Sequence, residues 1–87
     1  MEIGSNIIVK GIVQGVGFRY FVFRLTTRFG LKGYVKNLFN GDVEIDIEGD
    51  RSMIEELIKE IKIGPRFAHI TDMVINWKEV DKHYKII

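Results

Sequence analysis

The sequence contains no cysteine, a single proline and no long apolar run. The absence of cysteine excludes disulfides, thiolate metal sites and phosphatase chemistry that uses a cysteine nucleophile. No stretch approaches the roughly 20 apolar residues that a membrane span requires. Residues 1–6 also lack the basic region and apolar stretch of a signal peptide. These absences favour a cytoplasmic protein with no membrane partner.

An excess of charge of either sign is also missing, since 13 Lys and Arg residues accompany 12 Asp and Glu residues. The net charge of +1 does not indicate nucleic acid as a partner. His69 and His83 are too far apart in sequence to form a local metal motif, so no metal site is predicted. The length of 87 residues fits one domain, and we expect residues 1–87 to form a single, monomeric domain. The absent Cys, the single Gln and the many Lys, Glu and Ile residues are typical of thermophilic proteins.

The first part of the chain has the pattern of a strand, a glycine-rich loop and a helix. The run 7–13 is short and β-branched, which is typical of a buried strand. Apolar residues recur at helical spacing from Phe18 to Phe29, and Gly30 follows where a helix commonly ends.

The next segment predicts a β-hairpin. Residues 42–48 alternate acidic and apolar side chains, which favours a strand with one buried face, and residues 33–38 are its partner. The turn contains Asn40-Gly41, a pair that is typical of two-residue hairpin loops. Such a loop would place Lys36 opposite Ile45, on the buried face.

A three-residue loop that ends at Gly41 gives a different register. It pairs Val35 with Ile45 and Lys36 with Glu44, so that apolar side chains face each other and opposite charges pair across the strands. We predict this second register.

The remainder of the chain predicts a further helix and strand. Residues 51–63 carry an apolar stripe at helical spacing, with Asp50 as the N-cap or, alternatively, a capping box that begins at Ser52. A strand is predicted around 70–77, and residues 84–87 are an alternative fifth strand. The resulting βαββαβ order predicts an α+β, ferredoxin-like two-layer sandwich, with two helices on one face of an antiparallel sheet of four or five strands.

The loop between the first strand and the first helix has the composition of an anion site. Its two glycines allow backbone N–H groups to converge, the helix start adds its positive dipole end, and an arginine adds a charged fork that matches a phosphate. The P-loop and dinucleotide-binding patterns do not match this loop. An alternative is that the glycines only make a tight turn. The predicted phosphate-binding residues are Gln14, Gly15, Val16, Gly17, Phe18 and Arg19.

Asn37 is the second candidate site residue. On the predicted register its side chain points toward the helix layer, where a buried amide is costly unless it has a partner. It either bonds to backbone or holds a water near the phosphate.

The runs VKGIVQGVGFR at 9–19 and GYVKNL at 33–38 closely resemble the signature of the acylphosphatases. The run NGDVE at 40–44, the pair Gly64-Pro65 and the run YKI at 84–86 also resemble the family pattern. The resemblance implies a ferredoxin-like fold and the hydrolysis of an acyl phosphate, a small molecule, to a carboxylate and phosphate. It further implies that Arg19 binds the phosphate, that Asn37 orients the attacking water, and that no metal or cofactor is needed.

Departures from the family pattern are few. Tyr34 takes a position often held by Trp, Leu38 follows the Asn where some members carry Thr, and Phe39 lies where Pro or Ser is frequent. Three alternatives remain open: a related module that processes carbamoyl phosphate, a non-catalytic domain on the same fold, and an RNA-binding domain. The last is suggested by Lys32-Gly33-Tyr34 and Phe39, which match the ends but not the middle of an RNA-recognition box.

Overall fold

A computed structural model describes residues 1–80 of the chain. The elements follow the predicted βαββαβ order, and the four strands form one antiparallel sheet in the order β2-β3-β1-β4. The alternative fifth strand at 84–87 lies outside the described residues. No helix in the described part of the chain is long and apolar enough to cross a membrane. The elements are β1 Glu2–Ile12, α1 Phe18–Arg28, β2 Lys32–Asn37, β3 Val43–Asp50, α2 Arg51–Ile63 and β4 His69–Lys78.

The core lies between the sheet and the two helices. Alternate residues of β1 and β3 are fully buried, because successive side chains of a strand point to opposite faces of the sheet. The helices bury side chains that recur at helical spacing, as their apolar stripes predict. Each such side chain stabilises the fold by about 1.5–3 kcal/mol on burial. The buried apolar side chains of the sheet are Ile7, Val9, Val43, Ile45 and Ile47, and those of the helices are Phe18, Val22, Leu25, Ile54, Leu57, Ile58 and Ile61.

The first strand begins at Glu2, earlier than the β-branched run at 7–13 predicts. Glu2 pairs with Asp50 of β3, and Gly4 pairs with Lys78 of β4, so the early part of β1 lies in the sheet despite its weak strand formers. Backbone pairing between distant segments determines this boundary.

The hairpin adopts the three-residue register that the sequence predicts. Val35 lies opposite Ile45, and Lys36 lies opposite Glu44. The Lys36 ammonium is 3.5 Å from the Glu44 carboxylate. Gly41 has a φ of 96°, so it supplies the left-handed residue of the loop.

The first helix ends as the sequence predicts. After α1, the Leu31 N–H donates to the Thr26 carbonyl at 2.9 Å and the Gly30 N–H to the Thr27 carbonyl at 3.2 Å. These two bonds form a Schellman motif, and Gly30 has the positive φ of 68° that it requires.

The second helix begins at its predicted N-cap. The carboxylate of Asp50 accepts hydrogen bonds from the backbone N–H of Ser52 at 2.9 Å and from its hydroxyl at 2.6 Å. These bonds lower the pKa of Asp50 from its usual value. The N-cap alternative is therefore the one that forms.

Candidate functional site

The loop between β1 and α1 owes its shape to two glycines. Gly15 has a φ of 74° and Gly17 a φ of 76°, both in the left-handed region. A Cβ built at either position would contact nothing within 4 Å. The glycines are therefore required by the backbone conformation and not by lack of space.

The backbone N–H groups of this loop have no partner within residues 1–80. None of those from residue 15 to residue 20 donates to a described residue, and the first bond of α1 runs from the Phe21 N–H to the Gly17 carbonyl at 3.1 Å. Gly17 is the N-cap of α1 and offers no side chain to the helix start. The unpaired donors and the positive end of the helix dipole together can accept an anion.

Side chains in the loop point in different directions. Phe18 is fully buried and Val16 is half-buried against the core, so only their backbone amides are available to a ligand. Arg19, in the first turn of α1, is exposed and forms no salt bridge with a described residue. Its guanidinium is therefore available to an incoming anion.

Gln14 holds the loop against the β2–β3 hairpin. Its side-chain amide donates to the Leu38 carbonyl at 2.8 Å and to the Asp42 carbonyl at 2.9 Å. The Gln14 side chain, predicted to bind phosphate, thus uses both of its N–H donors inside the protein. The sequence gives no signal for this brace, because both acceptors are backbone carbonyls far along the chain.

The hairpin turn that receives Gln14 is itself fixed by side chains. The Asp42 N–H donates to the Asn40 side-chain oxygen at 3.0 Å, and the Lys10 ammonium donates to the Asp42 carboxylate at 2.7 Å. The side chain of Asp42 is only 12% exposed, so this ion pair is partly protected from solvent. The end of β2 is thereby held at a fixed position beside the loop.

Asn37 is the last residue of β2. It lies opposite the buried Val43, so it shares the face of the sheet that the helices cover, as the predicted register requires. The side chain is nevertheless exposed and forms no hydrogen bond with a described residue. The expectation that the Asn37 amide is buried, and therefore needs a hydrogen-bond partner, is wrong. The helix layer does not cover the end of the edge strand, so the amide is exposed.

A groove of about 610 Å³ runs between α1 and β2, and Arg19 lines it. Its wall on the helix side includes the exposed aromatic side chains of Tyr20 and Phe23. The sequence gives no signal for a site here, because helical spacing alone does not show which exposed side chains border a groove.

No three His, Asp or Glu side chains within the described range form a group that could hold a metal ion.

Comparison with known proteins identifies the relatives of the chain. The family model described as acylphosphatase matches residues 5–86. The acylphosphatase of Chlorobaculum tepidum is 45% identical over 76 residues, which cover 87% of this chain and 83% of that protein. The acylphosphatase of Caldanaerobacter subterraneus subsp. tengcongensis is 44% identical over 77 residues, covering 88% and 86%.

Solved structures share the fold. The crystal structure of acylphosphatase from Bacillus subtilis superposes with a TM-score of 0.90 at 36% identity, over 94% of this chain and 91% of that one. Full-length HypF in its phosphate- and nucleotide-bound form matches with a TM-score of 0.89 at 40% identity, over 98% of this chain but 11% of that chain. The similarity to HypF is thus confined to a small part of a much longer protein.

Proposed function

The chain belongs to the acylphosphatase family, and we propose that its reaction is carried out by Arg19, Asn37 and the backbone amides of the 14–19 loop. Acylphosphatases hydrolyse the carboxyl–phosphate bond of acyl phosphates, and this chain is an enzyme of that kind. In our proposal the amides of the loop and the guanidinium of Arg19 hold the phosphoryl oxygens, and the amide of Asn37 orients the attacking water.

The observation that carries the proposal is the set of unpaired backbone N–H groups from residue 15 to residue 20. They start α1 without a side-chain cap, and Arg19, in the first turn of that helix, has no ion-pair partner in the described range. Four of these six residues are exposed, so in the absence of a ligand their N–H groups can bond to water. A phosphate dianion satisfies several at once.

The chemistry requires few groups. The water oxygen forms a bond to phosphorus while the bond from phosphorus to the acyl oxygen breaks, and the carboxylate leaves with that electron pair. A carboxylate is a weak base, so its departure needs no strong general acid. Phosphoryl transfer depends mainly on positioning and charge stabilisation, which donors and a guanidinium supply.

The proton of the attacking water goes to the substrate in this proposal. The neutral amide of Asn37 cannot accept a proton at neutral pH, whereas a phosphate oxygen can. The dianionic acyl phosphate and water thus give a carboxylate and dihydrogen phosphate, which carries both protons of the water. Asn37 contributes by holding the water in line, and its lack of another partner within residues 1–80 leaves it able to do so.

Two substitutions test the assigned roles. Asn37→Ala is expected to lower kcat by about 10²–10³, the usual effect of removing one oriented group, while inorganic phosphate still inhibits at nearly the same concentration. Arg19→Ala is expected to weaken both phosphate inhibition and turnover, because the guanidinium contacts the anion in all states. Hydrolysis of acetyl phosphate and competitive inhibition by phosphate are the measurements.

Matched controls separate these roles from general effects. Asn76 is an exposed Asn on the other edge strand, and Arg24 is a second arginine on α1. Neither Asn76→Ala nor Arg24→Ala should change turnover more than about twofold, the range of modest surface electrostatic effects. Unchanged phosphate inhibition in Arg19→Ala, or equal loss of phosphate binding and turnover in Asn37→Ala, would contradict the proposal.

Processing of carbamoyl phosphate is tested with the same enzyme. Carbamoyl phosphate is also a carboxyl–phosphate anhydride, so it fits the same loop. Comparing kcat/KM for carbamoyl and acetyl phosphate decides which of the two is preferred.

We further propose that the enzyme is cytoplasmic and acts as a monomer without a metal or cofactor. No step of the proposed reaction needs a second chain. Sedimentation at working concentration tests the oligomeric state.

A further inference from the structure

The groove between α1 and β2 joins a cationic end to aromatic walls. Its volume of about 610 Å³ lies within the range of about 300–1,000 Å³ of sites for small organic molecules. Arg19 lines it, and Phe23 follows one helical turn later on the same face of α1. A group that extends about 6 Å from an anion at Arg19, the rise of four helical residues, therefore reaches the ring of Phe23.

The groove exists because β2 carries a glycine where the strand faces the helix. Gly33 lies opposite Ile47, on the side of the sheet that the helices cover. Its φ is 146°, and a Cβ built there would lie 1.8 Å from the carbonyl oxygen of Asp46, so no other residue fits without a shift of the backbone. With no side chain at this position, Ile47 and Val35 form an apolar floor for the groove.

Aromatic side chains of α1 border this floor. Tyr20 is 67% exposed and Phe23 is 61% exposed, so both rings are accessible to a ligand. Tyr34 precedes Val35 on β2, so its ring lies on the opposite face of the sheet, where its hydroxyl donates to the Glu44 carboxylate at 3.3 Å.

We propose that this groove binds the acyl group of the substrate and favours aromatic acyl phosphates. The inference rests on the proposed function, because it places the phosphate at Arg19 and the 14–19 loop. An aromatic acyl group attached to that phosphate lies on the Ile47–Val35 floor and contacts the ring of Phe23. Aromatic pairs of this kind contribute about 0.5–1.5 kcal/mol beyond area burial, a factor of about two to ten in kcat/KM.

The test compares benzoyl phosphate with acetyl phosphate in the wild type, Phe23→Ala and Phe67→Ala. Phe67 is a matched control, since it is 73% exposed and lies outside the groove. The ratio of kcat/KM for benzoyl to acetyl phosphate is expected to fall about two- to tenfold in Phe23→Ala, as the loss of one aromatic contact implies. It should stay at the wild-type value in Phe67→Ala. Using the ratio cancels the difference in intrinsic reactivity between the two substrates.

A second measurement does not depend on turnover. Benzylphosphonate and methylphosphonate carry the same charged head, and the first should inhibit the wild type more strongly. Phe23→Ala should reduce that difference, whereas Phe67→Ala should keep it. An unchanged benzoyl-to-acetyl ratio in Phe23→Ala, or an equal fall in Phe67→Ala, overturns the acyl site.

The outcome for acetyl phosphate separates this inference from the proposed function. If Arg19→Ala and Asn37→Ala impair acetyl phosphate hydrolysis but Phe23→Ala leaves the ratio unchanged, only the aromatic acyl site fails. If those two variants retain full activity on acetyl phosphate, the phosphate site itself is misplaced and both proposals fail.

Discussion

Gly15 shows how a single residue controls the anion site. Its φ of 74° lies in the left-handed region, yet no atom within 4 Å would obstruct a Cβ. Gly15→Ala therefore tests the backbone conformation alone, without a steric clash. We expect a loss of about 1–2 kcal/mol in the free energy of unfolding, the cost of a left-handed conformation for a residue with a side chain.

A matched glycine separates stability from binding. Gly30 has a similar φ of 68° and equally open surroundings, but it lies after the C-terminus of α1. Gly30→Ala should destabilise the fold by a similar amount and leave phosphate inhibition unchanged. Gly15→Ala should weaken phosphate inhibition as well, because its strain turns amides of the loop away from the anion. Thermal unfolding and inhibition by inorganic phosphate measure the two effects, and unaltered phosphate inhibition in Gly15→Ala would count against the amide cradle.

The sequence predicts the position of Arg19 fully, but it predicts the environment of Asn37 only in part. The period of two along β2 correctly predicts which face of the sheet Asn37 occupies. It does not predict the exposure of the amide, because that depends on how far the helix layer extends over an edge strand. The position of Arg19 in the first helical turn follows directly from the glycine loop and the apolar spacing of α1.

At the scale of elements, Gln14 couples the loop to the hairpin that carries Asn37. Its side-chain amide donates to the carbonyls of Leu38 and Asp42, which lie at the two ends of the hairpin turn. Gln14→Ala is expected to cost about 1–3 kcal/mol of stability, since each hydrogen bond contributes about 0.5–1.5 kcal/mol. It should also lower kcat/KM for acetyl phosphate by about tenfold or more, because small misplacements of reacting groups are costly.

Ser5→Ala is the control for this brace. The Ser5 hydroxyl is buried and donates to the Asn76 carbonyl at 3.3 Å, between β1 and β4. Its loss should lower stability without changing turnover of the folded enzyme. Equal activities of Gln14→Ala and Ser5→Ala, measured well below the unfolding temperature, would show that the brace does not position Asn37.

The element scale also shows where sequence reasoning succeeds and where it stops. The hairpin register follows from alternation and charge pairing, because both are local properties of two neighbouring strands. The early start of β1 and the Gln14 brace depend on contacts between segments far apart in sequence. No periodicity in residues 2–6 or around Gln14 encodes those contacts.

At the scale of the whole molecule, the two faces of the sheet have different roles. The face toward the helices holds the core and borders the proposed site, whereas the opposite face carries a network of charged and amide side chains. Asn6 donates to the Glu44 carboxylate at 3.0 Å and to the Asp46 carboxylate at 2.8 Å, and Lys78 donates to Asp46 at 2.8 Å. Changes in this network should therefore alter stability and leave the chemistry intact.

The pH dependence of stability tests this division. The hydrogen bond from Asn6, and then the charge of Lys36, lower the pKa of Glu44 from its ordinary value of 4.5. A lowered pKa in the folded state stabilises the fold above the ordinary value, and that contribution is lost as the pH falls through the folded-state value. Asn6→Ala removes the main cause of the lowered Glu44 pKa, so the variant should lack this stabilising contribution at neutral pH.

We expect Asn6→Ala to lower the free energy of unfolding by about 1.5–3 kcal/mol at pH 7, the range for hydrogen bonds to charged groups. The difference from the wild type should shrink as the pH falls below 4.5, because protonated Glu44 no longer gains from the amide. Urea unfolding at several pH values measures this, with acetyl phosphate turnover at pH 7 as the check on the site. A difference that stays constant down to pH 2 would mean that Asn6 acts through packing and not through the ionised Glu44, whereas a large fall in turnover would mean that the two faces are not independent.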